Sequence, residues 1–232
     1  MLIKLIKLGF LLMRLQLNNF KIPFMFKFIS IFLLFLIFSC AINKKTEYEV
    51  EMKKYRKNYK QEFLTENRSP LKTKKELKYI DFFPVDSNFK VKAEYSMCKY
   101  IDTLDFKTSS GKIKQYFPFA VMQFKINNEK FELTAYTSLQ LMHDEKYKDY
   151  LFIPFNDFTN GEETYGGGRY IDITKSEFKD GFVNLDFNKA YNPWCAFATG
   201  YNCPIPPSEN YLNTSIKAGE KKYKSIKTPN NH

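Results

Sequence analysis

The sequence predicts a mainly β protein, an antiparallel β-sandwich or barrel-like sheet with one N-terminal helix and a loop-rich C-terminal region. Three observations predict this fold class. From about residue 79 onward, hydrophobic and polar residues alternate with a period of two. The alternating segments are short and are separated by turn-forming pairs. Ahead of them, apolar residues recur at helical spacing.

The helix is predicted over Glu47–Glu66. Apolar residues that would form one stripe among lysine, arginine and glutamate are Tyr48, Met52, Tyr55, Tyr59 and Phe63. We expect this stripe to pack on the domain, and a partner-binding face is the alternative. Ser69 precedes Pro70 and is therefore disfavoured in a helix, which ends the segment. Leu71–Leu77 is expected to add one further turn.

Eight segments are predicted strands. They are Phe89–Tyr95, Leu104–Lys107, Ile113–Phe119, Val121–Ile126, Phe131–Tyr136, Leu151–Phe155, Arg169–Ile173 and Val183–Phe187. Asn127-Asn128 lies between two of them and predicts a hairpin. The sequence shows neither strand–helix alternation nor an internal repeat, which favours an antiparallel sandwich or barrel. After Phe187 the chain is predicted to be loop-rich, with prolines at Pro193, Pro204, Pro206 and Pro207.

A short apolar run near the N-terminus ends in a cysteine. Phe28–Phe38 follows Lys27 and has 11 residues, which suits a secretory signal core but is short of the roughly 20 residues of a membrane span. Cys40 directly follows Ser39, and this arrangement resembles the lipobox of bacterial lipoproteins.

The apolar run predicts the domain organisation. Residues 1–39 are predicted to be a lipoprotein signal peptide, 40–46 a tether, 47–222 a single globular domain and 223–232 a disordered tail. Acylated Cys40 would hold the protein to the lipid bilayer, with the periplasmic face of the outer membrane as the expected location. An uncleaved anchor is the alternative, and Met1, Met13 and Met25 are all possible starts.

The charge of the chain argues against nucleic acid as a partner. Residues 1–39 hold five of the 36 basic residues and none of the 25 acidic ones, so the rest of the chain carries a net charge of +6. This excess is spread along the chain and does not form a basic and aromatic stripe. A solvated surface near an anionic membrane accounts for it.

Three strings in the C-terminal half resemble a known family. They are Asp157–Tyr170 (DFTNGEETYGGGRY), Asp186–Cys195 (DFNKAYNPWC) and Cys203–Asn210 (CPIPPSEN). With Phe82–Asp86 and Arg68–Leu71 they resemble domain of unknown function 1684 over roughly residues 50–222. The resemblance implies no reaction and no catalytic residues, so none is assigned.

A ligand pocket is predicted from polar, glycine and aromatic residues within these strings. The candidates are Asp157, Glu163, Tyr165, Gly166, Gly167, Gly168, Arg169, Asn188, Tyr191 and Asn192. The three glycines followed by Arg169 could cradle an anion. The alternative is a tight turn before a strand, with Arg169 in an internal ion pair with Asp157, Asp172 or Asp186. Aromatic residues around the glycines suit a sugar or an aromatic ligand, or a lid that plugs a barrel.

The cysteines and histidines limit the chemistry. Cys195 and Cys203 are predicted to form a disulfide in an oxidising compartment, and a zinc pair, a reactive thiol and free buried thiols remain as alternatives. His143 and His232 lie outside residues 152–221, the region in which the polar, glycine and aromatic candidates are concentrated. This argues against a histidine-dependent nucleophile and a histidine-rich zinc site. We therefore predict no metal and no cofactor.

Two functions follow from these residues. The first is a module that binds an unknown small molecule or has a structural role. The second is a hydrolase that uses Asp157 or Glu163 with Arg169 as an electrophilic stabiliser. The hydrolase requires two carboxylates and Arg169 to converge on one open cleft. If Arg169 is instead fully paired inside the fold, both pocket hypotheses fail and a scaffold role remains.

Overall fold

The structure is a computed structural model, and it describes residues 47–99 and 102–224. The chain divides into two units, Met1–Tyr48 and Glu49–His232, and the sheet and the site belong to the second. The predicted signal peptide, Cys40 and the tether lie outside the described residues, as do residues 225–232 of the predicted tail. Within the described ranges, no helix combines the length and the apolar content that a membrane span requires.

The mainly β prediction is confirmed. In the described part of the chain, eight strands form one curled half-barrel sheet, with β6-β5-β4-β3-β1-β7 as its main path. The strands are β1 (Lys90–Met97), β2 (Leu104–Lys107), β3 (Ile113–Ile126), β4 (Glu129–Thr137), β5 (Tyr150–Asp157), β6 (Arg169–Thr174), β7 (Phe182–Asp186) and β8 (Tyr211–Leu212). All pairings are antiparallel except that β8 runs parallel to β5.

The predicted N-terminal helix is present as α1, residues 47–65. Met52 and Phe63 of its apolar stripe are buried, while Tyr55 and Tyr59 are half-buried. Packing on the domain, rather than a free partner-binding face, therefore accounts for the stripe. The further turn is α2 (Lys74–Leu77), which Thr73 starts with a capping box. A third short helix, α3 (Leu139–Met142), is absent from the sequence prediction.

Two predicted strands are one long strand in the structure. The segments Ile113–Phe119 and Val121–Ile126 merge into β3, and the register against β4 shifts between Pro118 and Ala120. A bulge explains the apparent break, because it interrupts the alternation without ending the strand. The Asn127-Asn128 hairpin is confirmed, and both residues have positive φ, 50° and 68°.

The two ends of the sheet path come together next to the helix. Tyr170 in β6 and Tyr191, which follows β7, exchange two backbone hydrogen bonds of 2.9 Å each. The interior of the half-barrel holds the main buried cluster, to which every long strand contributes. Another buried cluster, of Phe63, Leu71, Leu77 and Ile80, joins α1 to the segment that follows it, and Trp194 and Phe197 pack against this cluster. The ring of Tyr223 packs on that of Phe197, with the centroids 5.0 Å apart.

Candidate functional site

Arg169 lies inside the fold and is fully buried. Its Nη2 donates to Asp157 Oδ2 over 2.8 Å, and Asp157 is equally inaccessible. The other carboxylate oxygen of Asp157 accepts from the backbone N–H and the hydroxyl of Thr159, at 2.8 and 2.6 Å. Of the three acidic partners considered for Arg169, Asp157 is the one it pairs with. Asp172 cannot pair with Arg169, since residues three apart on a strand face opposite sides of the sheet.

The same guanidinium group holds the C-terminal segment against the sheet. Nη2 also donates to the carbonyl of Ile216 over 2.8 Å, and Nη1 donates to the carbonyls of Ala218 and Glu220. The centre of the guanidinium lies 5.2 Å from the centroid of the Phe155 ring, within range of a cation–π interaction. Arg169 therefore stabilises the scaffold, and the predicted open cleft around it is not formed by the described residues.

The three glycines form a turn before β6. The N–H of Gly168 donates to the carbonyl of Tyr165 over 3.2 Å. Gly168 has a φ of +86°, and a Cβ there would lie 2.6 Å from Asn156 Oδ1 and 2.9 Å from the carbonyl of Phe155. Gly168 is thus required by its backbone conformation and by close packing. Because Arg169 is internal, the anion cradle predicted from this string lacks its charged group.

Three other predicted ligand residues also make contacts within the fold. Asn188 is buried and exchanges hydrogen bonds with the backbone of Asp86, at 2.9 and 2.8 Å. Glu163 is exposed and pairs with Lys217 over 3.0 Å. Tyr165 is half-buried, and its ring packs against the glycine turn. Each of the three side chains therefore has a contact within the fold that accounts for its position.

A second buried carboxylate, that of Glu220, connects α1 to the loops beside the sheet. Glu220 is fully buried, and its Oε2 accepts from the Tyr59 hydroxyl over 2.8 Å and from the backbone N–H of Asn192 over 2.9 Å. Burial raises the pKa of Glu220 to about 7, while the hydrogen bonds from Asn192 and Tyr59 and the charge of Arg169 oppose the shift. Glu220 and Asn192 thus fix Tyr59 of α1 against the sheet.

Cys195 and Cys203 lie at disulfide distance, with their Cα atoms 6.2 Å apart, in agreement with the prediction. Cys98 is a half-buried free cysteine.

A cavity of about 490 Å³ lies between α1 and the two end strands of the sheet path. We call it the helix–sheet pocket. Its lining includes Tyr55, Asn58, Tyr59, Glu62 and Phe63 from α1, Asp172 from β6, Asn184 and Asp186 from β7, and the following Lys189, Tyr191 and Trp194. Its volume falls within the range of small-molecule sites. Tyr191 is the one predicted ligand residue that lines it.

Asp172 occupies the β6 wall of the pocket and is held by two tyrosines. The hydroxyls of Tyr150 and Tyr191 both donate to Asp172 Oδ1, over 2.8 and 2.7 Å. Surrounding protein atoms desolvate the carboxylate and raise the pKa of Asp172 to about 6, and the two hydroxyls oppose this shift. Asp172 is nevertheless an exposed residue, and contact with solvent moderates the desolvation.

The ionisable groups near Asp172 also have raised pKa values. Burial and the nearby Asp172 carboxylate hold the pKa of Tyr150 and Tyr191 well above the ordinary value, so both remain hydroxyl donors. The pKa of Glu62 is raised as well, first by burial and then by the adjacent charge of Glu66. The pocket therefore combines aromatic surface with several carboxyl groups.

Comparison with known sequences identifies the family. The family described as "Protein of unknown function (DUF1684)" matches residues 75–221, well over half of the chain. The chain belongs to the DUF1684 family. The matched stretch is shorter than the 50–222 expected from the sequence, and Arg68–Leu71 and α1 precede it.

A solved structure is also similar to this chain. A solution NMR structure of an uncharacterized protein from Haloarcula marismortui is 30% identical, with a TM-score of 0.59. The similarity covers 77% of this chain and 96% of that one. No curated protein matches.

The pocket of this DUF1684 protein was missed in the sequence because its residues come from distant segments. Asp172 appeared only as a possible partner of Arg169, and Tyr55, Tyr59 and Glu62 appeared only as parts of a helix. One signal was available. Strand alternation places Asp172 on the face opposite Arg169, Ile171 and Ile173, so a carboxylate must face away from the core towards whatever covers that side.

Proposed function

We propose that this protein is a cell-envelope module that binds a small molecule in the helix–sheet pocket. The observation that carries the proposal is the pocket itself, an open cavity at the junction of α1 and the two end strands, where Asp172 lies held by two tyrosines. A concave site with aromatic walls and a few fixed polar groups is the usual form of a small-molecule site.

A hydrolase built on Asp157 or Glu163 with Arg169 has less support. Asp157 and Arg169 are both buried in one ion pair, and Glu163 is exposed and paired with Lys217. Within the described residues these groups share no open cleft, so the pocket predicted around Arg169 is not supported either, and the binding proposal rests on the helix–sheet pocket alone.

Attachment to a membrane through acylated Cys40 remains part of the proposal. The signal-like run and Cys40 support it, together with the basic side of α1, which carries Lys53, Arg56, Lys57 and Lys60 beside a second, shallow groove. Basic residues near an anchored N-terminus favour contact with an anionic membrane surface. The periplasmic face of the outer membrane is the location we propose.

Native mass spectrometry of the full chain, purified from its own cells in a non-ionic detergent, tests this function. We expect a bound small molecule in the wild-type spectrum. Asn58→Trp places a large side chain in the pocket from an exposed helix position and should abolish the bound species. The matched control, Lys54→Trp, adds the same side chain at an exposed position of the same helix outside the pocket and should retain it.

The same spectra decide between the alternatives. Equal loss or equal retention of the ligand in both tryptophan variants would contradict binding in this pocket, as would a wild-type protein without any ligand. A chain that begins at acylated Cys40 would support lipid anchoring, and a chain that retains residues 1–39 would contradict it.

A further inference from the structure

We propose that the helix–sheet pocket takes an organic cation, a small molecule that carries an ammonium group on a carbon skeleton. This inference rests on the proposed function and names the class of ligand. It draws on three independent features of the pocket, which are its charge, its aromatic walls and one carboxylate oxygen.

The charge of the pocket is opposite to that of the chain. Its lining contains the carboxylic acids Glu62, Glu66, Asp172 and Glu177, whereas the chain as a whole has 36 basic and 25 acidic residues. Among the described residues that line the pocket, Lys189 is the one cation, and its Nζ lies 3.6 Å from Glu51 Oε1. An anionic ligand would meet a net negative field there, and a cation would be attracted.

Aromatic faces line the same space. Tyr55, Tyr59, Phe63, Tyr191 and Trp194 contribute to the walls, and the ring centroids of Tyr59 and Tyr191 lie 6.0 Å apart with the rings tilted by 49°. Aromatic walls beside carboxylates attract ammonium groups through the negative faces of the rings. The Nζ of Lys189 already lies 5.7 Å from the centroid of Tyr55, which shows that a cation can be accommodated at this wall.

Asp172 supplies a fixed acceptor. Both tyrosine hydroxyls donate to Oδ1, and among the described residues Oδ2 has no hydrogen-bond partner. The two hydrogen bonds hold the carboxylate in place before a ligand arrives, which lowers the entropic cost of binding. A bound metal ion is a poorer match, because no three metal-ligating side chains converge anywhere in the described ranges.

Fluorescence titration of the full chain with choline chloride tests the inference. Trp194 is the only tryptophan of the chain and lines the pocket, so its emission reports occupancy directly. The neutral isostere 3,3-dimethylbutan-1-ol has the same shape without the charge. We expect choline to bind at least about tenfold more tightly than the alcohol, since only choline gains the carboxylate and cation–π interactions.

Asp172→Asn is the decisive variant. Asparagine keeps an oxygen that can accept from Tyr150 and Tyr191 while it removes the charge. We expect it to weaken choline binding about tenfold and to leave the binding of the alcohol nearly unchanged. Asp105→Asn, an exposed carboxylate of β2 outside the pocket, is the matched control and should change neither.

Acidification should also weaken choline binding. The carboxylate must be ionised to attract the cation, and the pKa of Asp172 is raised to about 6, so the affinity should be full near about pH 8 and fall below about pH 6. The titratable groups that interact with this carboxylate among the described residues are Tyr55, Tyr59 and Glu62 from α1, Tyr150 from β5, Tyr170 from β6, and Tyr191.

The outcomes separate this inference from the proposed function. Equal binding of choline and the alcohol, no binding of choline, or a choline affinity unaffected by Asp172→Asn would each overturn the organic-cation inference. If the native ligand is nevertheless lost in Asn58→Trp alone, the binding function stands with a different ligand class. If the wild-type protein carries no native ligand and does not bind choline, both proposals fail.

Discussion

Replacing Arg169 with methionine is expected to lower the free energy of unfolding by roughly 3–5 kcal/mol, a large share of the total stability of a domain. The substitution leaves the Asp157 carboxylate buried without its cation. It also removes the donors to the carbonyls of Ile216 and Ala218. Urea unfolding followed by the emission of Trp194 measures the change.

Two further variants identify the cause. Adding Asp157→Asn to the methionine variant should restore part of the lost stability, because the uncompensated charge is then gone. Lys217→Gln breaks the exposed pair with Glu163 and should cost less than about 1 kcal/mol. If Arg169→Met costs no more than Lys217→Gln, Arg169 does not have the scaffold role described here.

Alanine at Gly168 is expected to destabilise the protein by roughly 2–5 kcal/mol. Part of the cost is the positive φ of +86°, which disfavours any residue with a Cβ. The rest is overpacking, because the new methyl group would lie 2.5 Å from Pro206 Cγ and 2.6 Å from Asn156 Oδ1. Thermal unfolding followed by circular dichroism gives the change in stability.

The same glycine string provides the control. A Cβ at Gly166 would have no atom nearer than 3.6 Å, so Gly166→Ala should change the stability by no more than about 0.5 kcal/mol. Gly161 has a positive φ but open space around it, and its alanine variant isolates the conformational part of the cost. Equal destabilisation at Gly166 and Gly168 would contradict the close packing of the turn.

Local patterns in the sequence were enough to predict much of the fold. Alternation of apolar and polar residues depends on neighbours along the chain, so the strands and the Asn127-Asn128 hairpin could be located. The two-residue strand β8 (Tyr211–Leu212) could not, because its pairing with β5 is parallel and long-range and so short a strand has no periodicity. The bulge near Pro118 likewise depends on the register with β4.

The site was harder to predict because it depends on which segments meet. Arg169 was rightly singled out as unusual, but the sequence could not decide between an exposed anion site and a buried pair with Asp157. Only the path of the C-terminal segment, which covers the guanidinium group with three carbonyls, settles it. Tyr59 and Asp172 are 113 positions apart in sequence, and they line one pocket because α1 packs beside the junction of β6 and β7.

Locating the ligand in a crystal structure of the full chain with its co-purified small molecule is the most direct test of the central claim. We predict density between Tyr59, Asp172 and Tyr191, with a positively charged group nearest the Asp172 carboxylate. Density at the glycine turn before Arg169 or in the basic groove on the other side of α1, with the helix–sheet pocket holding only solvent, would contradict it.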